Sequence, residues 1–128
     1  YCYSGGVEVT AFNPRAAASA ERFGFEISKE GNDNPCYQLK FSDEYPPINA
    51  FSKLFDSESN PKQDFAAVMT CSHADENCPF IPGTELRISL TYEDPKKFDD
   101  TILESSMYDA RSIQIASEMF HVFSQIKL

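Results

Sequence analysis

The sequence predicts an α/β domain, and three segments carry that prediction. The apolar run Phe65–Cys71, flanked by turn residues, is typical of a strand buried on both faces, as in a parallel sheet. The segment Leu86–Leu90 alternates apolar and polar residues and predicts a second strand. A helical pattern follows from about Ile102. Strands that are followed by loops and then a helix indicate layers of helix packed on sheet.

The first helix is predicted from its two ends. Asn13 is a good N-cap residue, and Pro14 suits the first helical position. The residues Arg15–Phe23 tolerate a helix, and Gly24 stands where a left-handed residue commonly ends one.

The middle of the chain predicts short strands separated by turns. The strand candidates are Phe25–Ile27, Cys36–Phe41 and Phe51–Phe55; the breaks between and after them are Gly31–Pro35, Asp43–Pro47 and Asp56–Asp64.

The last helix is predicted to begin at a capping box, Thr101-x-x-Glu104, and to run close to the end of the sequence. Its apolar residues fall on one stripe and are interpreted as core rather than as a cofactor site. They are Ile115, Ala116, Met119, Phe120, Val122, Phe123 and Ile126.

Length and composition predict one globular domain, residues 1–128, because 128 residues with 41% hydrophobic content can build a single core. A net charge of −9 argues against nucleic-acid and anionic-membrane partners. A small oxyanion remains compatible, since a nest of N–H groups and one Arg can hold it. No apolar run reaches the roughly 18 residues of a membrane span. Four cysteines are too few for a secreted disulfide framework, so we expect a cytoplasmic protein.

Cys71 and Cys78 frame a polar loop directly after the apolar run. Fully extended, the loop would span about 23 Å, whereas a disulfide needs Cα atoms within about 7 Å. The two thiols can therefore pair only if the loop folds back. The alternative is two unrelated buried cysteines, because free Cys often behaves as a small hydrophobe. Cys2 and Cys36 are interpreted as structural.

Asp94 precedes Pro95 in a second loop that leaves a strand end, where ligands gather in such sheets. The proline holds Asp94 in an extended conformation suited to a general acid; simple turn chemistry is the alternative. His73 and Asp75 lie between the cysteines and are of residue types that bind zinc, but no second close Cys pair follows. We therefore expect no metal and no cofactor.

The cysteine loop and the Asp-Pro pair resemble the thioredoxin-coupled arsenate reductases of the low-molecular-weight protein tyrosine phosphatase superfamily. The resemblance extends over most of the chain, in order. It is carried by Tyr3–Gly6, Phe12–Ala16, Gly24–Ile27, Val68–Pro79 and Tyr92–Pro95. Lys96-Lys97-Phe98 after the Asp-Pro pair favours the reductase branch over the plain phosphatases, which typically show aromatic residues there.

The resemblance implies a flavodoxin-like parallel sheet with helices on both faces. It implies a thiolate nucleophile in a C-x₅-R loop, Asp94 as the general acid, and Cys71 and Cys78 as a redox relay that ends in a disulfide for thioredoxin. The substrate would be arsenate, a phosphate ester or a phosphotyrosine protein.

The sequence departs from the family because it contains no C-x₅-R. The residues six positions after its four cysteines are Glu8, Ser42, Asn77 and Thr84. The family's first strand and helix are missing with that loop, and the chain begins without Met. We therefore expect an N-terminally incomplete piece of a longer enzyme, inactive by itself because the nucleophile is lacking. The alternatives are a degenerate member, or a homodimer or strand swap that fills the gap.

A rival interpretation from a different class is a non-enzymatic module. In it, Cys71 and Cys78 form a reversible disulfide that alters partner binding, and Asp94 has no role. The enzyme interpretation instead needs Asp94 for catalysis in the intact protein.

Overall fold

The computed structural model describes residues 1–72 and 80–126. In these ranges the chain forms two α-helices, five strands and one 3₁₀-helix. They are α1 Pro14–Arg22, β1 Glu26–Glu30, β2 Cys36–Lys40, β3 Ile48–Ala50, β4 Phe65–Met69, β5 Thr84–Ser89, the 3₁₀-helix Pro95–Phe98 and α2 Glu104–Ser124. The α/β class predicted from the sequence is confirmed.

The described strands lie in two sheets. β1, β2 and β3 form an antiparallel sheet in that order, with Glu26 opposite Lys40 and Leu39 opposite Ile48. β4 and β5 form a parallel pair. The single flavodoxin-like parallel sheet is therefore not confirmed. The physical reason lies in the connections: the turn at Gly31–Pro35 is short enough for antiparallel neighbours, whereas parallel strands need a long crossover.

The chain divides into two compact units, and each is described by itself. The parallel-sheet unit comprises Tyr1–Ala11, Asn32–Pro35 and Phe51–Asp94. The helical unit comprises Phe12–Gly31, Cys36–Ala50 and the chain from Pro95 on. The prediction of one domain stays a prediction.

The start and end of α1 in the helical unit confirm the sequence prediction. The Asn13 side chain accepts a hydrogen bond from the Arg15 N–H at 2.9 Å, and Gly24 adopts a φ of +93° just after the helix. The helix packs on the antiparallel sheet through a small core. Its buried members are Ala17, Tyr37 and Leu39, with Phe12, Ala20, Phe25, Ile27 and Ala50 around them.

The predicted capping box of the last helix does not form as expected. The helix begins at Glu104, and its N-cap residue Leu103 makes no side-chain cap. Instead, the Thr101 hydroxyl accepts from the Leu103 N–H at 3.2 Å, and the Glu104 carboxylate accepts from the Asp100 N–H at 2.7 Å. In a capping box, the Thr101 hydroxyl would accept from the Glu104 N–H and the Glu104 carboxylate from the Thr101 N–H. Each side chain instead accepts from an N–H one residue away.

The prediction that the apolar stripe of the last helix is core was wrong. Among the described residues of α2 only Tyr108 is buried. The Phe120 side chain is 78% exposed and that of Phe123 is 66% exposed. Of the remaining stripe, Ile115 and Met119 are half-buried, and Ala116, Val122 and Ile126 are exposed. Helical periodicity shows which residues share a face, but it does not show whether another element covers that face.

Two strand predictions in the parallel-sheet unit also need correction. β4 is buried on one face only, because Met69 is buried while Val68 on the opposite face is 39% exposed. The predicted strand Phe51–Phe55 is not one; the strand β3 lies just before it. Within that segment, Leu54 instead forms an isolated parallel bridge with Gly6.

Candidate functional site

The parallel pair β4–β5 brings two loops to one edge. The backbone pairing runs from Ala66 opposite Leu86 to Met69 opposite Ser89. It continues beyond both strands, since the Leu90 N–H donates to the Met69 carbonyl at 3.0 Å and the Tyr92 N–H to the Thr70 carbonyl at 2.9 Å. The two segments that follow β4 and β5 therefore leave the sheet side by side.

Cys71 and Asp94 lie directly beyond this extended pairing. Cys71 follows Thr70 and is half-buried, and Asp94 comes two residues after Tyr92 and is exposed. Because the carboxyl ends of parallel strands share one edge, both residues leave the sheet at the edge where ligands gather in such sheets. Their catalytic roles stay predictions. Cys78 lies outside the described residues, as do His73 and Asp75.

A small core supports the end of β4. Met69 and Ile81 are buried, and Val7, Phe55, Phe65 and Ala67 pack against them. The Thr84 hydroxyl lies 3.1 Å from the Phe65 carbonyl, which ties the first residue of β5 to the first residue of β4.

Gly83 holds the start of β5 close to the chain that leads into β4. Its φ is +80°, and a Cβ there would lie 1.9 Å from the Lys62 carbonyl oxygen. No larger residue fits without moving that backbone, so Gly83 sets how closely the two segments approach. This role of Gly83 was not predicted from the sequence, although a glycine directly before an alternating strand is the signal that marks it.

The segment after Asp94 belongs to the helical unit and is held there by Arg15. The Arg15 guanidinium contacts three carboxylates: Glu104 at 2.6 Å, Asp100 at 2.7 Å and Asp99 at 3.5 Å. Its hydrogen bond keeps the pKa of Glu104 below the ordinary value, and the Asp100 N–H adds to that effect. The pKa of Arg15 is raised in turn, chiefly by the hydrogen bond to Glu104.

Tyr108 joins the same network from the buried side of α2. Its side chain is 5% exposed, and its hydroxyl donates to an Asp99 carboxylate oxygen at 2.9 Å. The same hydroxyl accepts from the Asn13 amide at 2.9 Å. Asn13 thus caps α1 with its oxygen and holds Tyr108 with its nitrogen. No motif in the sequence pairs Asn13 with Tyr108 or Arg15 with Glu104, because the two residues of each pair lie 95 and 89 positions apart in the chain.

Two clefts lie in the helical unit, and neither is lined by Cys71 or Asp94. One of about 210 Å³ opens between β1 and β2 beside Lys40, whose ammonium is already bonded to Asp43 and Glu26. The other, of about 100 Å³, lies beside Arg15, Arg22 and Tyr108.

Within the described ranges, no three His, Cys, Asp or Glu side chains converge as a metal site would require. In the same ranges, no helix has the length and apolar character needed to cross a bilayer.

Comparison with known proteins finds similarity to curated arsenate reductases. An arsenate reductase of Halalkalibacterium halodurans is 26% identical over 99 residues, which cover 77% of this chain and 56% of the relative. Arsenate reductase 2 of Staphylococcus epidermidis and arsenate reductase 2 of Staphylococcus haemolyticus are each 28% identical over 93 residues, covering 73% of this chain and 55% of the relative. The chain spans about half the length of the curated relatives it matches. No protein-family model and no solved structure matches it.

Proposed function

We propose that the protein to which this chain belongs is an arsenate reductase, with Asp94 as general acid and Cys71 and Cys78 as redox relay. One observation carries the proposal. The paired backbones of β4 and β5 lead into Cys71 and Asp94 at one edge of a parallel sheet. The similarity to curated arsenate reductases supports the reaction class.

The first step needs a nucleophile that this chain does not contain, in the form of a cysteine thiolate in a C-x₅-R loop. The thiolate attacks the arsenic of arsenate, an As–S bond forms and an As–O bond breaks. The oxygen leaves as water after taking a proton from Asp94. An exposed carboxyl before a proline suits this task, because it can reach substrate and exchange its proton with solvent between turnovers.

The second step uses the relay. The Cys71 thiolate attacks the nucleophile's sulfur, an S–S bond forms, and the electron pair of the As–S bond stays on arsenic, which departs as arsenite. The Cys78 thiolate then attacks the Cys71 sulfur, and the nucleophilic cysteine leaves as thiolate. Two thiols of the protein thus supply the two electrons. An external dithiol such as thioredoxin restores Cys71 and Cys78.

The test measures arsenite formation by the full-length protein with a dithiol reductant. Asp94→Asn, Cys71→Ser and Cys78→Ser should each abolish multiple turnover, while Cys36→Ser serves as the matched control in the helical unit. In a single turnover without reductant, Cys71→Ser should release no arsenite. Full activity of Asp94→Asn or of Cys71→Ser would overturn the proposal.

The same variants separate the rival functions. Hydrolysis of p-nitrophenyl phosphate without arsenate reduction would assign the protein to the phosphatases. A reversible Cys71–Cys78 disulfide that alters partner binding and ignores Asp94→Asn would assign it to the redox switches. The 128-residue chain by itself should hydrolyse no p-nitrophenyl phosphate above a Cys71→Ser control, because it lacks the activated thiolate.

A further inference from the structure

The face of α2 that packs on α1 continues well beyond α1. The two helices have 21 and nine residues, so they are roughly 32 and 14 Å long. They meet at Ser19, whose hydroxyl donates to the Asp109 carboxylate at 2.7 Å and lies 3.1 Å from the Ser112 hydroxyl. Positions 109, 112, 116, 120 and 123 are three or four residues apart, so they share one face of the helix.

Beyond Ser112 this face is apolar and exposed. Ile113 is 53% exposed, Phe120 is 78% exposed and Phe123 is 66% exposed, and Ala116 between them is exposed as well. We call these four residues the seam. Their spacing is that of the a and d positions of a coiled coil, where side chains pack against a facing helix.

The seam carries no charge. Glu118 is the only residue charged at pH 7 in positions 112–126, although the chain has a net charge of −9. The Gln114 amide donates to the Glu118 carboxylate at 3.0 Å. At 100° per residue, Gln114 and Glu118 lie on the side of α2 opposite the seam. A second copy of the helix can therefore approach the seam without bringing like charges together.

We propose that the seam pairs with the same seam of a second copy, antiparallel and about a two-fold axis. In that register Ile113 faces Phe123 of the second copy, and Ala116 faces Phe120 of the second copy. A large ring thus meets the smallest side chain of the seam, as interdigitating layers require. The two-fold axis makes each contact twice, as in an isologous dimer. The order of side chains along the seam therefore complements itself.

The area of the seam is sufficient for such a dimer. A Phe side chain buries about 150–250 Å², so the exposed parts of Phe120 and Phe123 offer about 300 Å². With Ile113, Ala116 and the 56% exposed Ile126 beside them, one copy offers on the order of 500 Å². Two copies bury about 1,000 Å², which is the lower limit for a specific interface. We expect a reversible dimer with a Kd on the order of 10 µM.

The test is sedimentation equilibrium of the full-length protein. The unsubstituted protein should be a dimer at about 100 µM and a monomer at about 1 µM. Phe120→Lys should raise the Kd at least about tenfold, because it places a charge in an apolar layer. Val122→Lys is the matched control and should leave the Kd unchanged, since Val122 is 50% exposed but lies off the seam. Far-UV circular dichroism checks that each variant is folded.

A mixing experiment tests the register. Ala116→Glu should also prevent self-association, but a mixture of Ala116→Glu with Phe120→Lys should form dimers again, because the antiparallel register pairs the two new charges. A dimer that ignores Phe120→Lys, or a mixture that stays monomeric, would overturn the inference. So would an unsubstituted protein that is monomeric at about 100 µM, which would mean that something other than a second copy covers the seam. At about 1 µM the seam substitutions should leave the free energy of unfolding unchanged, because no dimer is present to lose.

Discussion

Replacing Gly5 by Ala should destabilise the parallel-sheet unit far more than replacing its neighbour Gly6. A Cβ at Gly5 would lie 2.4 Å from the Cα of Phe55 and 3.0 Å from the Leu54 carbonyl oxygen. The nearest atoms to a Cβ at Gly6 would be the Glu8 carbonyl oxygen, at 3.4 Å, and the Glu8 nitrogen, at 3.9 Å. Neither glycine has a positive φ, so the comparison isolates the steric overlap.

The magnitude follows from the contacts that must give way. Carbon atoms pack at about 3.5–4 Å, so Phe55 would have to retreat by about 1 Å. That displacement disrupts the hydrogen bonds from Gly6 to Lys53 at 2.8 Å and from Phe55 to Gly6 at 2.9 Å. Each is worth about 0.5–1.5 kcal/mol net. We therefore expect Gly5→Ala to cost about 1–3 kcal/mol, whereas Gly6→Ala should cost nothing or gain up to about 1 kcal/mol through the unfolded chain.

The assay is urea unfolding followed by far-UV circular dichroism, because the chain contains no Trp. Amide exchange of Phe55 and Met69 would assign the loss to the parallel-sheet unit, since the Phe55 N–H donates to Gly6 and Phe55 packs against the core of Met69 and Ile81. Equal stabilities of the two variants, or a greater loss for Gly6→Ala, would refute the reasoning. Such a result would mean that the N-terminal segment does not pair with Leu54 in solution.

Two further predictions concern the helical unit. Phe120→Ser should change stability by no more than about 0.5 kcal/mol in a denaturant titration, because the side chain is 78% exposed; a loss of about 3–5 kcal/mol, typical of a buried Phe, would restore the core stripe that the sequence predicts. Arg22 hydrogen-bonds Asp109 and holds its pKa below the ordinary value of 3.8. The resulting stability is present above pH 3.8 and is lost as the pH falls through the lower folded value. Arg22→Gln should therefore flatten the acid dependence of stability below about pH 4, as measured by unfolding at several pH values, and an unchanged slope would contradict the assignment.

The parts of the fold that were predictable are encoded within a few residues. Asn13 caps α1 and Gly24 ends it because capping needs only a side-chain oxygen and a residue that tolerates positive φ. The turn at Gly31–Pro35 is likewise local. The position of Cys71 and Asp94 after two strands follows from the apolar and alternating runs before them.

The parts that were missed depend on distant partners. Thr101 and Glu104 have the residue types of a capping box, but Glu104 binds Arg15, which is 89 positions away in the chain. The charge of that guanidinium draws the carboxylate out of the expected arrangement. The exposure of Phe120 was missed for a related reason: no local pattern in the sequence reveals whether another element covers a given face of a helix.

The proposed chemistry places different demands on the two residues that leave the parallel pair. A bond between Cys71 and Cys78 needs their Cα atoms within about 7 Å, so the chain between them, which would span about 23 Å if extended, has to fold back. Asp94 must stay in place, because proton donation depends on a fixed geometry. Asp94→Asn should therefore slow the proton-dependent step and leave the disulfide exchange between Cys71 and Cys78 unaffected.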